Sequence, residues 1–211
     1  MIGRIAILAT IVAIVFGILT VPFAVLAQET TAECAGAVWL TATEATPEPE
    51  TSAQTTDAAP SWLATELTDA CSGEAFTLAD FAGKTLYVES MATWCGECFE
   101  QLSRVQEAFA RIPETERDEI VLVALSSEID LPREDLASYA EKTGFPLLFA
   151  VMPEAMLKTM VDDIGREWAI PPAMPHLIVS PDGTIGDLHT GGSSAEELLA
   201  LFAAAQESAA E

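Results

Sequence analysis

The chain has 211 residues, 50% of them hydrophobic, enough for one ordinary core with appendages and hardly for two. Nine Lys and Arg stand against 33 Asp and Glu, a net charge of −24, which argues against nucleic acid and an anionic membrane surface as partners of the folded part. Such acidity reads as a well-solvated surface, compatible with neutral or basic protein partners.

After Arg4 the chain runs from Ile5 to Ala27 without a charge, and Val25-Leu26-Ala27 ahead of Gln28 offers small residues of the cleavage type. Residues 1–27 therefore read as a signal peptide or an N-terminal membrane anchor. The run exceeds a usual signal core and approaches the roughly 20 residues that span a bilayer, so cleavage and membrane anchoring through residues 5–26 both stay open. Arg4 precedes the run and no Lys or Arg follows until Lys84, which keeps the N-terminus cytosolic and makes the rest extracytoplasmic, in an oxidising compartment. Glu33 disfavours lipid attachment at Cys34. Residues 28–60, rich in Thr, Ala, Pro and Glu, read as a flexible tether, and residues 61–211 as the folded domain.

Within that domain "FTLADFAGK" predicts a short strand and a turn. "TLYVESM" (Thr85 to Met91) predicts a buried strand, and a helix follows with Cys98, Leu102, Val105 and Phe109 on one face, ending near Ile112-Pro113. "IVLVALS" (Ile120 to Ser126) is a second buried strand, Pro132 to Lys142 a helix closed by Gly144, "PLLFAV" a third strand, and Pro153 to Trp168 another helix. "PHLIVSPDGTIGDLH" reads as a hairpin around Pro-Asp-Gly, and Ser194 to about Gln206 as a last helix capped by Ser193 or Ser194. This alternation predicts an α/β fold, a mixed sheet with helices on both faces.

Chemistry concentrates in "MATWCGEC". A structural zinc site needs four ligands, and beyond Cys95 and Cys98 only Cys34, Cys71, His176 and His189 remain, none in a paired spacing, so no metal is expected. A static staple across three residues would constrain the unfolded chain little. Redox catalysis fits better: Cys95 opens a helix, where unpaired N–H groups favour a thiolate, and Cys98 faces it one turn on. The pair can alternate between dithiol and disulfide, Cys95 attacking and Cys98 resolving, without any cofactor.

Trp94-Cys95-Gly96-Glu97-Cys98 after an apolar strand, followed by "PPAMPHLIVSPDGTI", resembles the extracytoplasmic thioredoxin-like thiol-disulfide oxidoreductases of the TlpA/ResA type, over about residues 62 to 208. The resemblance implies a thioredoxin fold with a strand-helix insertion over Phe145 to about Asp163. It also implies a cis proline at Pro175, with Met174 offering its carbonyl and amide, beside Trp94, to an extended substrate. It implies protein thiol and disulfide substrates, and a membrane thiol relay as electron donor to a disulfide reductase. Members commonly carry a glutamate where this chain has Gln101. Glu89 is the substitute acid: strand alternation puts Tyr87, Glu89 and Met91 on one face, beneath the covering layer. Glu97, between the cysteines, opposes the thiolate and favours a more reducing couple.

A Cys34–Cys71 bridge is the simplest use of the remaining cysteines, with unpaired thiols or an intermolecular bridge through Cys34 as alternatives. His176 and His189 read as surface or hairpin residues. The rival function makes one of them, with Cys95 and Cys98, a Cu(I) site for copper delivery on a thioredoxin fold.

Overall fold

The computed structural model describes residues 34–36, 38–41 and 59–208; the expected signal or anchor segment and most of the expected tether lie outside them. The described part opens with short elements: α1 (Val38–Thr41), a 3-10 turn at Ser61–Ala64, and an antiparallel pair of β1 (Leu67–Thr68) with β2 (Ala75–Phe76). A second 3-10 turn, Leu78–Phe81, leads to β3 (Thr85–Met91), then α2 (Gly96–Arg111), α3 (Glu114–Arg117) and β4 (Ile120–Ser126). α4 (Arg133–Thr143), β5 (Leu148–Val151), α5 (Glu154–Ile164), β6 (His176–Val179) and α6 (Ala195–Ser208) complete the chain.

The main sheet has the order β5-β4-β3-β6, with β3 parallel to β4, β4 parallel to β5, and β6 antiparallel to β3. Every residue of β3 and of β4 is buried because helices cover the two faces; β4 is accordingly apolar as far as Ser126, while β3 also encloses the polar Thr85, Glu89 and Ser90. Tyr87 and Met91 enter the layer formed with Leu102 and Val105 of α2, Leu136 of α4 and Phe202 of α6. Leu86 and Val88 enter the opposite layer, with Met156 and Met160 of α5, Trp62 and Trp168. Each large side chain so enclosed contributes about 1.5–3 kcal/mol of burial free energy. The expected mixed sheet with helices on both faces is what the chain builds, and β5 with α5 forms the strand-helix unit between α4 and β6.

Two elements differ from expectation. α5 stops at Ile164 instead of reaching Trp168, because Gly165 takes φ +138°, a conformation that breaks the helix, and a separate 3-10 turn at Arg166–Ala169 then buries Trp168. The hairpin after β6 turns as predicted, but its return arm is no strand; it pairs only at Val179 with Ile185 and at His176 with His189. Its apolar residues, Ile185 and Leu188, are three apart, so strand alternation fails and both pack beside the α5 layer.

The folded unit also includes chain ahead of Trp62. Trp39 is buried and packs edge-on against Phe109 of α2 at 5.7 Å, and Cys34 is bridged to Cys71. Between them Gly36 runs so close to the sheet that a Cβ there would lie 1.9 Å from the Leu147 carbonyl oxygen, so only glycine fits.

Candidate functional site

β3 ends beneath the N-terminus of α2, and the turn between them carries the cysteines. The Cys95 N–H donates to Ala92 O at 3.1 Å, which folds the chain tightly off the strand. Cys95 is then the N-cap of α2, and its Sγ accepts the Cys98 N–H at 3.1 Å, so the sulfur occupies the place where a capping oxygen usually sits. The two cysteines are joined as a disulfide with Cα atoms 5.3 Å apart. Cys95 retains 3% of its surface and Cys98 none. Cys98 Sγ lies 3.1 Å from the carbonyl oxygen of Pro171, at the start of a 3-10 turn, Pro171–Ala173, that packs on α2. In the dithiol that oxygen can accept the Cys98 S–H, which favours the protonated form of the inner sulfur, while the helix N-terminus favours the anion of the outer one.

Exposed apolar side chains flank the pair in sequence, alongside the exposed Glu97 and Glu100. Trp94 is 66% exposed, Phe99 48%, Ile170 45% and Ile129 40%, the large hydrophobic residues most open to solvent among those described. Trp94 and Phe99 flank the cysteines in sequence, Ile170 precedes Pro171, and Ile129 follows Glu128, whose carboxylate is bonded to Thr93. Such a rim suits an apolar, extended protein segment.

On the face of the sheet that α2 covers lies a buried polar group of residues. Glu89 is fully buried, accepts a 2.6 Å hydrogen bond from the Tyr87 hydroxyl, and leaves its other oxygen without a partner among the described residues. Burial pushes its carboxyl up to about 8, against the smaller opposing effect of the Tyr87 bond. Burial, and then the facing Glu89 carboxylate, raise Tyr87 well above its ordinary value and Tyr139 of α4 to about 12. Gln101, one turn past Cys98, is also fully buried; its Oε1 accepts the Ser193 N–H at 2.9 Å, while its Nε2 meets no hydrogen-bond partner among the described residues.

His176 stands opposite Glu89 in the β3–β6 register. It is buried rather than at the surface, with Nδ1 2.9 Å from Met174 O and Nε2 3.0 Å from Ser193 Oγ, and it stacks on His189 at 5.4 Å. Burial holds its pKa down at about 4, so it is neutral at ordinary pH. Sequence reasoning missed this Gln101–Ser193–His176 connection, because its members are far apart in the chain and no local pattern links them.

The expected cis bond at Pro175 is absent: no peptide bond among the described residues is cis. Met174 instead adopts the left-handed region, φ +51°, and from there a trans bond turns the chain into β6. Its N–H donates to Pro171 O at 2.7 Å and its carbonyl faces His176 Nδ1, so both backbone groups expected to meet substrate are already engaged. Pro175 is buried, and its carbonyl accepts the Ser90 N–H of β3 at 3.0 Å.

No protein-family model and no curated protein matches this chain. Solved structures do. A thioredoxin-family thiol:disulfide interchange protein from Chlorobium tepidum aligns at 16% identity over 67% of this chain and 92% of its own, with a TM-score of 0.53. A secreted Mycobacterium tuberculosis disulfide oxidoreductase homologous to E. coli DsbE aligns at 17% identity over 69% and 99%, TM-score 0.53. Copper-bound ScoI of Arabidopsis thaliana aligns at 15% identity over 69% and 96%, TM-score 0.51. At these identities the likeness is one of fold, and the fold is thioredoxin-like.

Proposed function

We propose that this chain is an extracytoplasmic thiol-disulfide oxidoreductase of the TlpA/ResA kind, a disulfide reductase acting on protein substrates through Cys95 and Cys98. The observation that carries the reading is the bridged pair at the N-terminus of α2, with a buried carboxyl on the strand that leads into it and exposed apolar side chains flanking it in sequence. In the reduced protein the Cys95 thiolate attacks a client disulfide. One client sulfur leaves as a thiolate and takes a proton from water, and a mixed disulfide remains on Cys95. Cys98 then gives its proton to Glu89 and attacks Cys95 Sγ, which forms the Cys95–Cys98 bridge and releases the second client sulfur as a thiolate that takes the proton from Glu89. A membrane thiol relay returns two electrons and one proton to the pair, restoring the Cys95 thiolate and the Cys98 thiol. Trp94 and the rest of the apolar rim hold the client segment, and the half-buried Met174 side chain forms one wall, backed by the buried Pro175. Location outside the cytoplasm rests on the apolar run at residues 5–27 and on the Cys34–Cys71 bridge, which suits an oxidising compartment.

Two measurements test the assignment. Limited alkylation of the fully reduced protein should label Cys95 first, and a Cys98→Ala variant should accumulate mixed disulfides with protein clients through Cys95. Preferential labelling of Cys98, or a pair that cannot be reversibly reduced by dithiols, overturns it.

Copper delivery is the second reading, favoured by the likeness to copper-bound ScoI. It needs a histidine to join the two sulfurs, yet both ring nitrogens of His176 already have partners. Cu(I) titration of the reduced protein should give weak binding, unchanged in His176→Ala and His189→Ala. Tight, stoichiometric and histidine-dependent binding without reduction of protein disulfides would replace the reductase reading with the copper one.

A further inference from the structure

We infer that Glu128 is a positioning residue for the redox centre, one that holds the Thr93–Trp94 turn in place and sets the acidity of the Cys95 thiol through its charge. The inference rests on the oxidoreductase reading. Glu128 lies just past the end of β4, in a loop whose sequence, "SSEIDLP", looks like an ordinary acidic connection. Its placement is not ordinary. The Glu128 N–H donates to the Oγ of Ser126, which is fully buried, and its carbonyl accepts the Leu131 N–H at 2.8 Å. The side chain crosses to the neighbouring β3–α2 turn, where one carboxylate oxygen accepts both the Thr93 N–H at 2.6 Å and the Thr93 hydroxyl at 2.9 Å. Beside it the Ser127 N–H donates to Met91 O at 2.9 Å. The turn that presents Cys95 is thus tied to the β4 loop at two successive points.

Charge-assisted hydrogen bonds of this kind are short and strong, so the carboxylate fixes the backbone two residues before Cys95. No Lys, Arg or His is paired with Glu128 in an ion pair among the described residues. The other titratable groups on the elements around the pair are Glu97 and Glu100 of α2, Asp130 of the same loop, Glu89 of β3 and the neutral His176 of β6, with Arg104 tied to Glu100 and Gln101. The Glu128 charge therefore opposes formation of the Cys95 thiolate, and so opposes the dithiol form from which that thiolate derives.

The test is redox equilibration of the intact protein with glutathione at pH 7, together with the pH profile of alkylation at Cys95. Glu128→Gln keeps the acceptor oxygen and removes the charge. It should move the equilibrium constant about threefold to tenfold towards the dithiol and lower the alkylation midpoint by about half a unit to one unit. Asp130→Asn removes the same charge from the same loop without touching Thr93, and should give less than half of that shift. Glu128→Ala also loses the acceptor, and should in addition change the rate at which Cys95 reacts with small disulfides, while Thr93→Ser, which keeps both donors, should match the wild type. Equal shifts in Glu128→Gln and Asp130→Asn, or none in either, overturn the inference while the pair still cycles. A pair that does not cycle at all instead removes the oxidoreductase reading on which it stands.

Discussion

A Cys34→Ser, Cys71→Ser double variant should lose about 2–4 kcal/mol of folding stability. The bridge spans 37 positions in sequence, a loop long enough that its closure removes much freedom from the unfolded chain. The loop also contains Trp39, which is buried against Phe109, and Gly36, which presses on the backbone ahead of β5. Without the bridge the segment from Cys34 to α1 must rely on its packing contacts, Trp39 and Leu40 on the core among them, to offset the entropy of ordering it. Urea unfolding of the bridged protein and the double variant, with the Cys95–Cys98 pair reduced in both, measures the difference. A Trp39→Ala change made in each background then shows whether ring and bridge act together: it should matter in the bridged protein and much less in the double variant. A loss below about 1 kcal/mol would mean that the bridge only decorates a segment held by other means.

How far the sequence discloses this molecule depends on whether the signal is local. The limits of β3 and β4 are legible to the residue, because strands covered on both faces are predominantly apolar, even though β3 also encloses Glu89 and Ser90. The cysteine pair is legible for a related reason: helix capping and the spacing of one turn are local properties. The return arm after β6 is not legible, since Thr184-Ile185-Gly186 resembles a hairpin until its apolar spacing is weighed against the sheet. The stretch around Trp39 is not legible: residues 28–60 read as one flexible tether, and nothing local says that Trp39 is buried and reaches α2. Met174 lies beyond sequence altogether, because its left-handed turn is imposed by its contacts with Pro171 and His176. The same holds for Glu128, whose partner is 35 positions away in the chain.

Glu89→Gln should slow the resolution of mixed disulfides at pH 7 by about tenfold to a hundredfold while leaving the fold intact. The Cys98 sulfur is fully buried beside a carbonyl oxygen that favours its protonated form, so it needs a base to become a nucleophile. Gln101 cannot serve, and His176, held near 4, is too weak a base and already has partners on both nitrogens. Glu89, raised to about 8, is mostly protonated at neutral pH but close enough to its midpoint to accept a proton from a thiol. Glutamine preserves the volume and an acceptor for the Tyr87 hydroxyl, so packing should survive. The wild-type rate should climb with pH up to about 8, following Glu89, whereas the variant should lack that rise and gain only where Cys98 itself ionises. Stability gives a second, independent readout. A carboxyl raised in the fold contributes stability that is present below 4.5 and lost as pH climbs through about 8. His176 is lowered in the fold, so its contribution is present above 6.5 and lost as pH falls through about 4. The two slopes cancel between about 4.5 and 6.5, so the wild type should be most stable there and weaken both below that window and above it towards 8; Glu89→Gln should keep the acid limb and lose the alkaline one. At pH 9 it should exceed the wild type by a few kcal/mol, with about 5 kcal/mol as the ceiling. Single-turnover reduction and urea unfolding across one pH series separate the two roles. An alkaline gain in stability with an unchanged rate would leave Glu89 a buried acid without a part in the chemistry, and a variant matching the wild type in both would mean that the carboxyl is solvated. Gln101→Glu in the variant background completes the argument, since an acid one turn past Cys98 should restore part of the lost rate if proton removal from that sulfur is what Glu89 supplies.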